Sequence, residues 1–242
     1  MNKGAMLYEG KAKKIFEISG EKNLIWVEYK DDLTAFNAQK KGSFQGKGMI
    51  NARITSLIYR FLNTRGINTH LVSEPSTHEM ICHKLKIIPL EVVTRNKLAG
   101  STAKKLGIEE GTAIPKPLVE FYLKNDNLND PFVSDDQAIM IKAARDQAEL
   151  DELKAAALKI NNELISFFKE ADLELIDFKL EFGRDAKGTL MLGDEISPDT
   201  CRLWDLKTKE KMDKDRFRRD LGNVKEAYEN VLGRLKEHWS KP

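Results

Sequence analysis

The chain has 242 residues, 41% of them hydrophobic and 32% charged, and its 40 Lys+Arg against 38 Asp+Glu leave a formal charge of +2. That length exceeds the common single-domain size of about 100–150 residues and predicts one large domain or two lobes around a real core. So balanced a charge argues against a surface that coats nucleic acid or an anionic membrane; any anion recognition has to be local. Cys82 and Cys201 form no CxxC pair, so neither a disulfide framework nor a thiolate zinc site is expected, and a reducing cytosol fits. The opening residues MNKGAMLYEGKAKK lack the apolar core of a signal peptide, and no stretch approaches the ~20 apolar residues of a membrane span. A cytoplasmic protein with neither nucleic-acid nor membrane partners is expected.

In chain order, AMLYEG, KIFEIS and NLIWVEY are strand-like runs separated by Gly10 and by Ser19-Gly20, an antiparallel meander. In MINARITSLIYRFLNTRG, Ile50, Ile54, Leu57, Ile58, Phe61 and Leu62 recur at helical spacing and Gly66 offers a stop. Strands follow around 70–73, 78–85 and 90–95, with Ile88-Pro89 as an interruption and a hinge between lobes. STAKKLG reads as a short helix behind Gly100, and PLVEFYLKNDNLNDP as a strand leading into a polar loop. The clearest helix is 147–170, with Leu150, Leu153, Ala157, Ile160, Leu164 and Phe167 as its apolar stripe. A last helix carries Val224, Tyr228, Val231 and Leu235. The fold class expected is α+β in two lobes.

The segment LELIDFKLEFG, 173–183, alternates: Ile176, Phe178, Leu180 and Phe182 on one face, Asp177, Lys179 and Glu181 on the other. RDAKG is a turn, and Thr189–Gly193 returns antiparallel. If even-numbered residues lie opposite odd-numbered ones, Asp194 shares a face with Glu181. The turn-rich loop that follows, GDEISPDTCRLWD, adds Glu195, Ser197, Asp199 and Arg202. Hard oxygen ligands at a hairpin end suit Mg²⁺, which takes one or two carboxylates and fills its other positions with water and substrate phosphates. A phosphate donor is therefore expected, and GKAK at 10–13, between two strands, offers backbone N–H groups and lysines to cover it. GSFQGKG at 42–48 is not a Walker A loop. Arg95, at a strand end, and Ser101, behind Gly100 at a helix start, suggest a second anion site. The four histidines show no ligand spacing, and no nucleophile motif is present.

LYEGKAKKIFEI, IPLEVVTRNKLAGS, KNDNLNDP, IDFKLEFG and GDEISPDTCRLWD occur in the order and at about the spacing found in phosphoribosylaminoimidazole-succinocarboxamide synthases, the SAICAR synthetase family, which this chain resembles over essentially its whole length. The resemblance implies a small antiparallel β lobe like that of a kinase (1–87) packed on a larger α+β lobe (88–242), with an ATP cleft between them. It implies an ATP- and Mg²⁺-dependent ligase joining carboxyaminoimidazole ribotide to L-aspartate in purine biosynthesis, acting as a homodimer. By the same resemblance Gly10, Lys11, Ala12 and Lys13 cover the ATP phosphates, and the backbone around Lys86 and Ile87 meets adenine. Lys84 and Lys124 lie near the nucleotide, and Glu181 and Asp194 hold the metal. Arg95, Ser101 and Arg202 bind the ribotide, while Lys179 and Asp199 stand at the reacting carboxylate.

Two other readings fit parts of the pattern. A small-molecule kinase could use the same phosphate-covering hairpin for a hydroxyl acceptor. A nucleotide sensor or RNA-binding module is disfavoured by the balanced charge.

Overall fold

The computed structural model describes residues 1–36 and 38–239. Strands β1 (Lys3–Glu9), β2 (Lys13–Ile18) and β3 (Leu24–Tyr29) form the expected meander. A hairpin of β4 (Asp32–Ala35) and β5 (Lys40–Ser43) leads to helix α1 (Lys47–Thr64), and β6 (Leu71–Ser76) and β7 (Glu79–His83) complete a five-stranded antiparallel sheet ordered β1-β2-β3-β7-β6. A second antiparallel sheet takes β8 (Lys86–Lys97), β9 (Ala113–Leu123), β10 (Phe132–Val133), β11 (Leu173–Arg184), β12 (Leu190–Gly193) and β13 (Cys201–Asp205). Its order is β10-β9-β8-β11-β12, and β13 also pairs with β11. The remaining helices are α2 (Gly100–Leu106), α3 (Asp135–Met140), α4 (Gln147–Glu170), α5 (Asp215–Arg218) and α6 (Val224–Trp239). The class is mixed α and β with antiparallel sheets, as expected.

The apolar stripe of α4 explains its place. Leu150, Leu153, Ala157, Ile160, Leu164 and Phe167 are all buried against the second sheet, and the Asp146 carboxylate caps the helix by accepting from the Glu149 N–H at 2.9 Å. Each such Leu, Ile or Phe contributes about 1.5–3 kcal/mol by leaving water. Helix α1 serves two clusters. Ile50, Ile54, Ile58, Phe61 and Leu62 join the main core with α4, α6, β8 and β11, while Ala52 packs with Val27, Tyr29, Met80 and Cys82 of the first sheet. That double burial ties the two sheets together through one helix.

Three local expectations change. Cys201–Asp205 is a strand rather than loop: β12 pairs with residues 181–184 of β11, and β13 takes up the same strand at residues 173–178. Pro89 does not interrupt β8. Glu181 lies opposite Glu91 and Gly183 opposite Ile87, so one residue of β11 faces three of β8, and the proline, which has no N–H to donate, sits in that bulge. The alternation of β11 is also broken. A register shift between Leu175 and Asp177 turns Ile176 away from the main core, into a small cluster with Ala99 and Trp204, while Leu173 and Leu175 join Phe178, Leu180 and Phe182.

Candidate active site

The turn between β1 and β2 is closed by the Gly10 N–H donating to Lys13 O at 2.8 Å and held from outside by the Lys30 N–H donating to Ala12 O at 2.8 Å. It stands over a cavity of about 520 Å³ whose apolar wall includes Leu7, Ile15, Val27, Leu85 and Ile87. The opposite wall is charged. Lys13 Nζ lies 2.5 Å from Asp194 Oδ1 and 3.1 Å from Glu195 Oε1; Lys124 Nζ lies 2.6 Å from Glu181 Oε1; Lys179 Nζ reaches Glu91 at 2.6 Å and Glu181 at 3.2 Å. Three lysines therefore meet four carboxylates in one cleft.

Burial opposes the charge on Asp194, yet Lys13, Lys179 and Lys124 outweigh it and hold the carboxyl well below its usual range. Burial likewise opposes the charge on Lys13 and Lys179, and their acidic neighbours win, raising both ammonium groups. Glu91 goes the other way. Its burial lifts the carboxyl, and Lys179 only partly offsets that.

Glu181 and Asp194 do share the cleft, but not by the expected register. Glu181 lies opposite Gly193, odd against odd, which in a continuing strand would send residue 194 to the other face. Asp194 instead takes a left-handed backbone, φ 56, at the end of β12, and this brings its carboxylate back beside Lys13. An aspartate tolerates that conformation better than most residues. Two carboxylates in one cleft fit a Mg²⁺ ion that completes its shell with phosphate oxygens and water. No group of three or more metal-ligating side chains occurs among the described residues, so the donor set suits a cation that arrives with a nucleotide rather than one caged by protein alone.

A second cavity of about 380 Å³ adjoins the first, and Lys179, Glu91, Asp130, Asp199 and Lys214 line both. Its distinctive wall is cationic. Arg95, 5% exposed, donates to Glu120 at 2.7 Å, Asp177 at 2.6 Å and the Tyr122 hydroxyl at 3.3 Å. Arg202 donates to both oxygens of Asp177, at 3.1 and 2.9 Å, and to Asp215 at 3.0 Å. Asp177 thus fixes two guanidinium groups at once. Ser101 is exposed at the start of α2 and lines this cavity. Gly100 has φ 60, and a Cβ there would lie 2.4 Å from Arg202 Nη2, so glycine is what lets the arginine lie against the α2 start.

Asp199 is more tightly held than its sequence position suggests. Lys47 Nζ and Asn51 Nδ2 reach its Oδ2 at 2.6 and 3.0 Å, the Tyr228 hydroxyl donates to Oδ1 at 2.8 Å, and Lys214 lies 4.0 Å away. Burial opposes the charge on Asp199; Lys214 and Lys47 overcome it and keep the carboxyl far below its usual range. For Lys214 burial wins and its ammonium is lowered.

Of the expected site residues, Gly10, Ala12, Lys13, Lys84, Ile87, Lys124, Glu181 and Asp194 line the first cavity, Arg95, Ser101 and Arg202 line the second, and Lys11, Lys179 and Asp199 line both. Lys86 does not: it is exposed and lies outside the cavity wall. Glu91, Lys214 and Arg218, which also line the site, escaped the sequence reading, as did Lys47 behind Asp199. The available signal was the series Lys47, Asn51, Thr55, Tyr59, a polar stripe at intervals of four along α1. Cys201 lines the second cavity, and burial pushes its thiol up, the wrong direction for a nucleophile.

An apolar slot under a lysine-bearing turn, joined across a shared wall that includes Lys179 and Lys214 to a second, arginine-lined cavity, defines an enzyme that brings a nucleotide together with an anionic second substrate. The SAICAR synthetase family model matches residues 6–235. The phosphoribosylaminoimidazole-succinocarboxamide synthases of Wolinella succinogenes and Halalkalibacterium halodurans are 53% and 52% identical to the chain, covering 97% and 98% of it and 99% of each relative. The crystal structure of the Ehrlichia chaffeensis synthase superposes with a TM-score of 0.92 at 43% identity, covering 96% of this chain and 98% of that one. A SAICAR synthetase in complex with ADP gives the same TM-score at 42% identity, over 98% and 100% of the two chains. The chain belongs to the SAICAR synthetase family.

Proposed function

We propose that the enzyme joins carboxyaminoimidazole ribotide to L-aspartate, with ATP converted to ADP and phosphate, as a step of purine biosynthesis. The observation that carries this reading is Lys179 standing where the two cavities meet, because a carboxylate must be brought against a terminal phosphate there. A carboxylate is a poor electrophile until one oxygen becomes a leaving group. Attack of that oxygen on the γ-phosphorus releases ADP; the aspartate amine then attacks the acyl carbon, phosphate leaves, and the amine loses a proton. No protein nucleophile is needed, so positioning and electrostatics carry the rate. The relative solved with ADP supports the nucleotide role of the first cavity.

In this reading the Gly10–Lys13 turn covers the phosphates, the slot of Ile15, Val27 and Ile87 takes adenine, and Arg95, Arg202 and Ser101 take the ribotide phosphate. Lys179 offsets the charge that grows as the carboxylate is phosphorylated. Glu181 and Asp194 would hold Mg²⁺, which supplies neutralisation of the triphosphate when bound. The two-lobe division, 1–87 and 88–242, is part of the same proposal; the separate sheets support it, with α1 belonging by packing to both sides. A cytoplasmic homodimer is proposed as well, and no helix among the described residues is long and apolar enough to cross a membrane.

A coupled ADP-release assay with each substrate omitted in turn tests the reading. Release should require both ribotide and aspartate and yield the amide, and oxygen-18 from the substrate carboxylate should appear in phosphate. ADP release on a hydroxyl substrate, indifferent to aspartate, would support a kinase instead.

A further inference from the structure

Helix α1 carries four polar side chains at intervals of four residues, and all four meet the segment that follows β12. The Tyr59 hydroxyl donates to Gly193 O at 2.6 Å, the Thr55 hydroxyl to Ile196 O at 3.1 Å, and Asn51 and Lys47 to the Asp199 carboxylate. All four are 1% exposed or less. Helix α6 adds Tyr228 from the other side. The segment itself is a closed turn: the Ser197 hydroxyl donates to Glu195 at 2.9 Å and accepts from the Asp199 N–H at 3.1 Å. Cavity residues Asp194, Glu195 and Asp199 thus sit on a loop whose shape is dictated from α1.

Lys47 is the costly member of that series. It occupies the first position of α1, where the helix dipole disfavours a cation and where the first turn holds no acid, and it is almost fully buried. A buried lysine is tolerated only with a close anion, and Asp199 is the partner the structure gives it. Asp199 in turn faces Lys214, which lines both cavities and whose nearest carboxylate is Asp199 at 4.0 Å, whereas Lys13, Lys124 and Lys179 each have a carboxylate within 2.6 Å. With Lys47, Asn51 and Tyr228 all bonded to it, Asp199 is a fixed anion rather than a group with room to take a proton.

We propose that Lys47 is a positioning residue for the ligation: it acts from behind the site, through Asp199, to hold Lys214 and the 194–200 loop where the two cavities join, and so sets affinity for the non-nucleotide substrate. This rests on the proposed assignment of the second cavity to the ribotide. The apolar nucleotide slot is formed by residues of β1–β3 with Leu85 and Ile87, whereas Lys47 bonds to Asp199, on the wall that both cavities share. Affinity for ATP should therefore be little changed when Lys47 is altered.

The test compares wild type with Lys47→Met, Lys47→Arg, Tyr228→Phe, Asp199→Asn and the double variant K47M/D199N, with folding checked by circular dichroism. Kinetics are read alongside calorimetric binding of ATP and of a ribonucleoside 5′-monophosphate, a probe that does not depend on which acid is activated. K47M should raise the KM for the ribotide and the dissociation constant of the monophosphate at least tenfold, with those for ATP within twofold. K47R should recover most of the loss, Y228F should show the same direction more weakly, and K47M should add little to D199N. Equal weakening of ATP and monophosphate, or K47M and D199N effects that multiply independently, would overturn the proposal. If K47M does not fold, Y228F carries the same comparison: unchanged monophosphate binding in Y228F would overturn it. Absence of amide product from wild type would instead count against the proposed function, with the binding data still deciding the role of Lys47.

Discussion

Substituting Gly100 by alanine should damage the second cavity through one side chain. Two costs can be separated. The residue has φ 60, where an L side chain is strained by about 1 kcal/mol relative to glycine. In addition, the new methyl would lie 2.4 Å from Arg202 Nη2 and 2.8 Å from its Cζ, well inside contact distance. The end of an arginine is usually free to swing aside, but this one donates to Asp177 at 2.9 Å and to Asp215 at 3.0 Å. Moving it loses charge-assisted hydrogen bonds that contribute about 1.5–3 kcal/mol each and leaves Asp177 dependent on Arg95 alone. If the guanidinium gives up one of these bonds, the expected loss of stability is about 2.5–4 kcal/mol, measurable by urea denaturation. Steady-state kinetics should show a ribotide KM raised at least tenfold with the ATP KM nearly unchanged, because neither Gly100 nor Arg202 lines the first cavity. A G100A variant with wild-type stability and wild-type ribotide KM would refute both the strain and the role given to Arg202. A variant that loses stability but keeps its ribotide KM would refute the second alone.

Asp194→Asn removes the carboxylate that draws Lys13 into the cleft and should lower kcat by orders of magnitude while the fold survives, since Lys13 keeps Glu195 at 3.1 Å; near-normal turnover at saturating Mg²⁺ would exclude a metal role. Arg95→Ala should be chiefly a stability lesion, about 3–5 kcal/mol, because it strands Glu120 and half of the buried Asp177 pair; Arg95→Lys should fold and raise the ribotide KM, and equal effects on ATP would mean the cavities are wrongly separated. Asp213 is fully buried, accepts the N–H groups of Leu203 and Asp215, and burial together with Asp215 raises its carboxyl to about 7. A folded pKa raised above the unfolded value means the native state holds the extra proton, so this stabilising contribution is complete below about pH 4 and is lost as pH rises through 7. Stabilities of Asp213→Asn and wild type should accordingly diverge between about pH 4 and 7, with wild type losing ground as pH rises and the difference levelling off above 7; parallel curves would show that Asp213 does not titrate there.

Much of the fold was legible because it rests on period. The stripe from Leu150 to Phe167 places α4, and the three opening strands show their alternation. The cation-rich and carboxylate-rich motifs also lay on recognisable segments. What could not be read was governed by departures from period. The bulge at Ile176 swaps the buried face of β11 halfway along, and parity alone cannot reveal where a swap occurs. Asp194 reaches the cleft by a single left-handed residue rather than by register. Glu91 looked like an ordinary strand residue until β8 lay beside β11 and set it opposite Glu181. Lys47 and Tyr228 stand 152 and 29 positions from Asp199, and nothing local in either segment announces that meeting.

The near-neutral composition has a counterpart at the site. Each of Lys13, Lys124 and Lys179 is matched to a carboxylate at 2.5–2.6 Å, so the cleft presents ion pairs rather than bare positive charge. An unpaired lysine at that depth would lose its proton or destabilise the fold, and an unpaired carboxylate would do the reverse. In the proposed reading, a triphosphate bound there would draw lysines away from Glu181 and Asp194 and leave those oxygens in need of another cation. The same pairing that stabilises the cleft would thus make a polyanion and a divalent cation better occupants together than either alone.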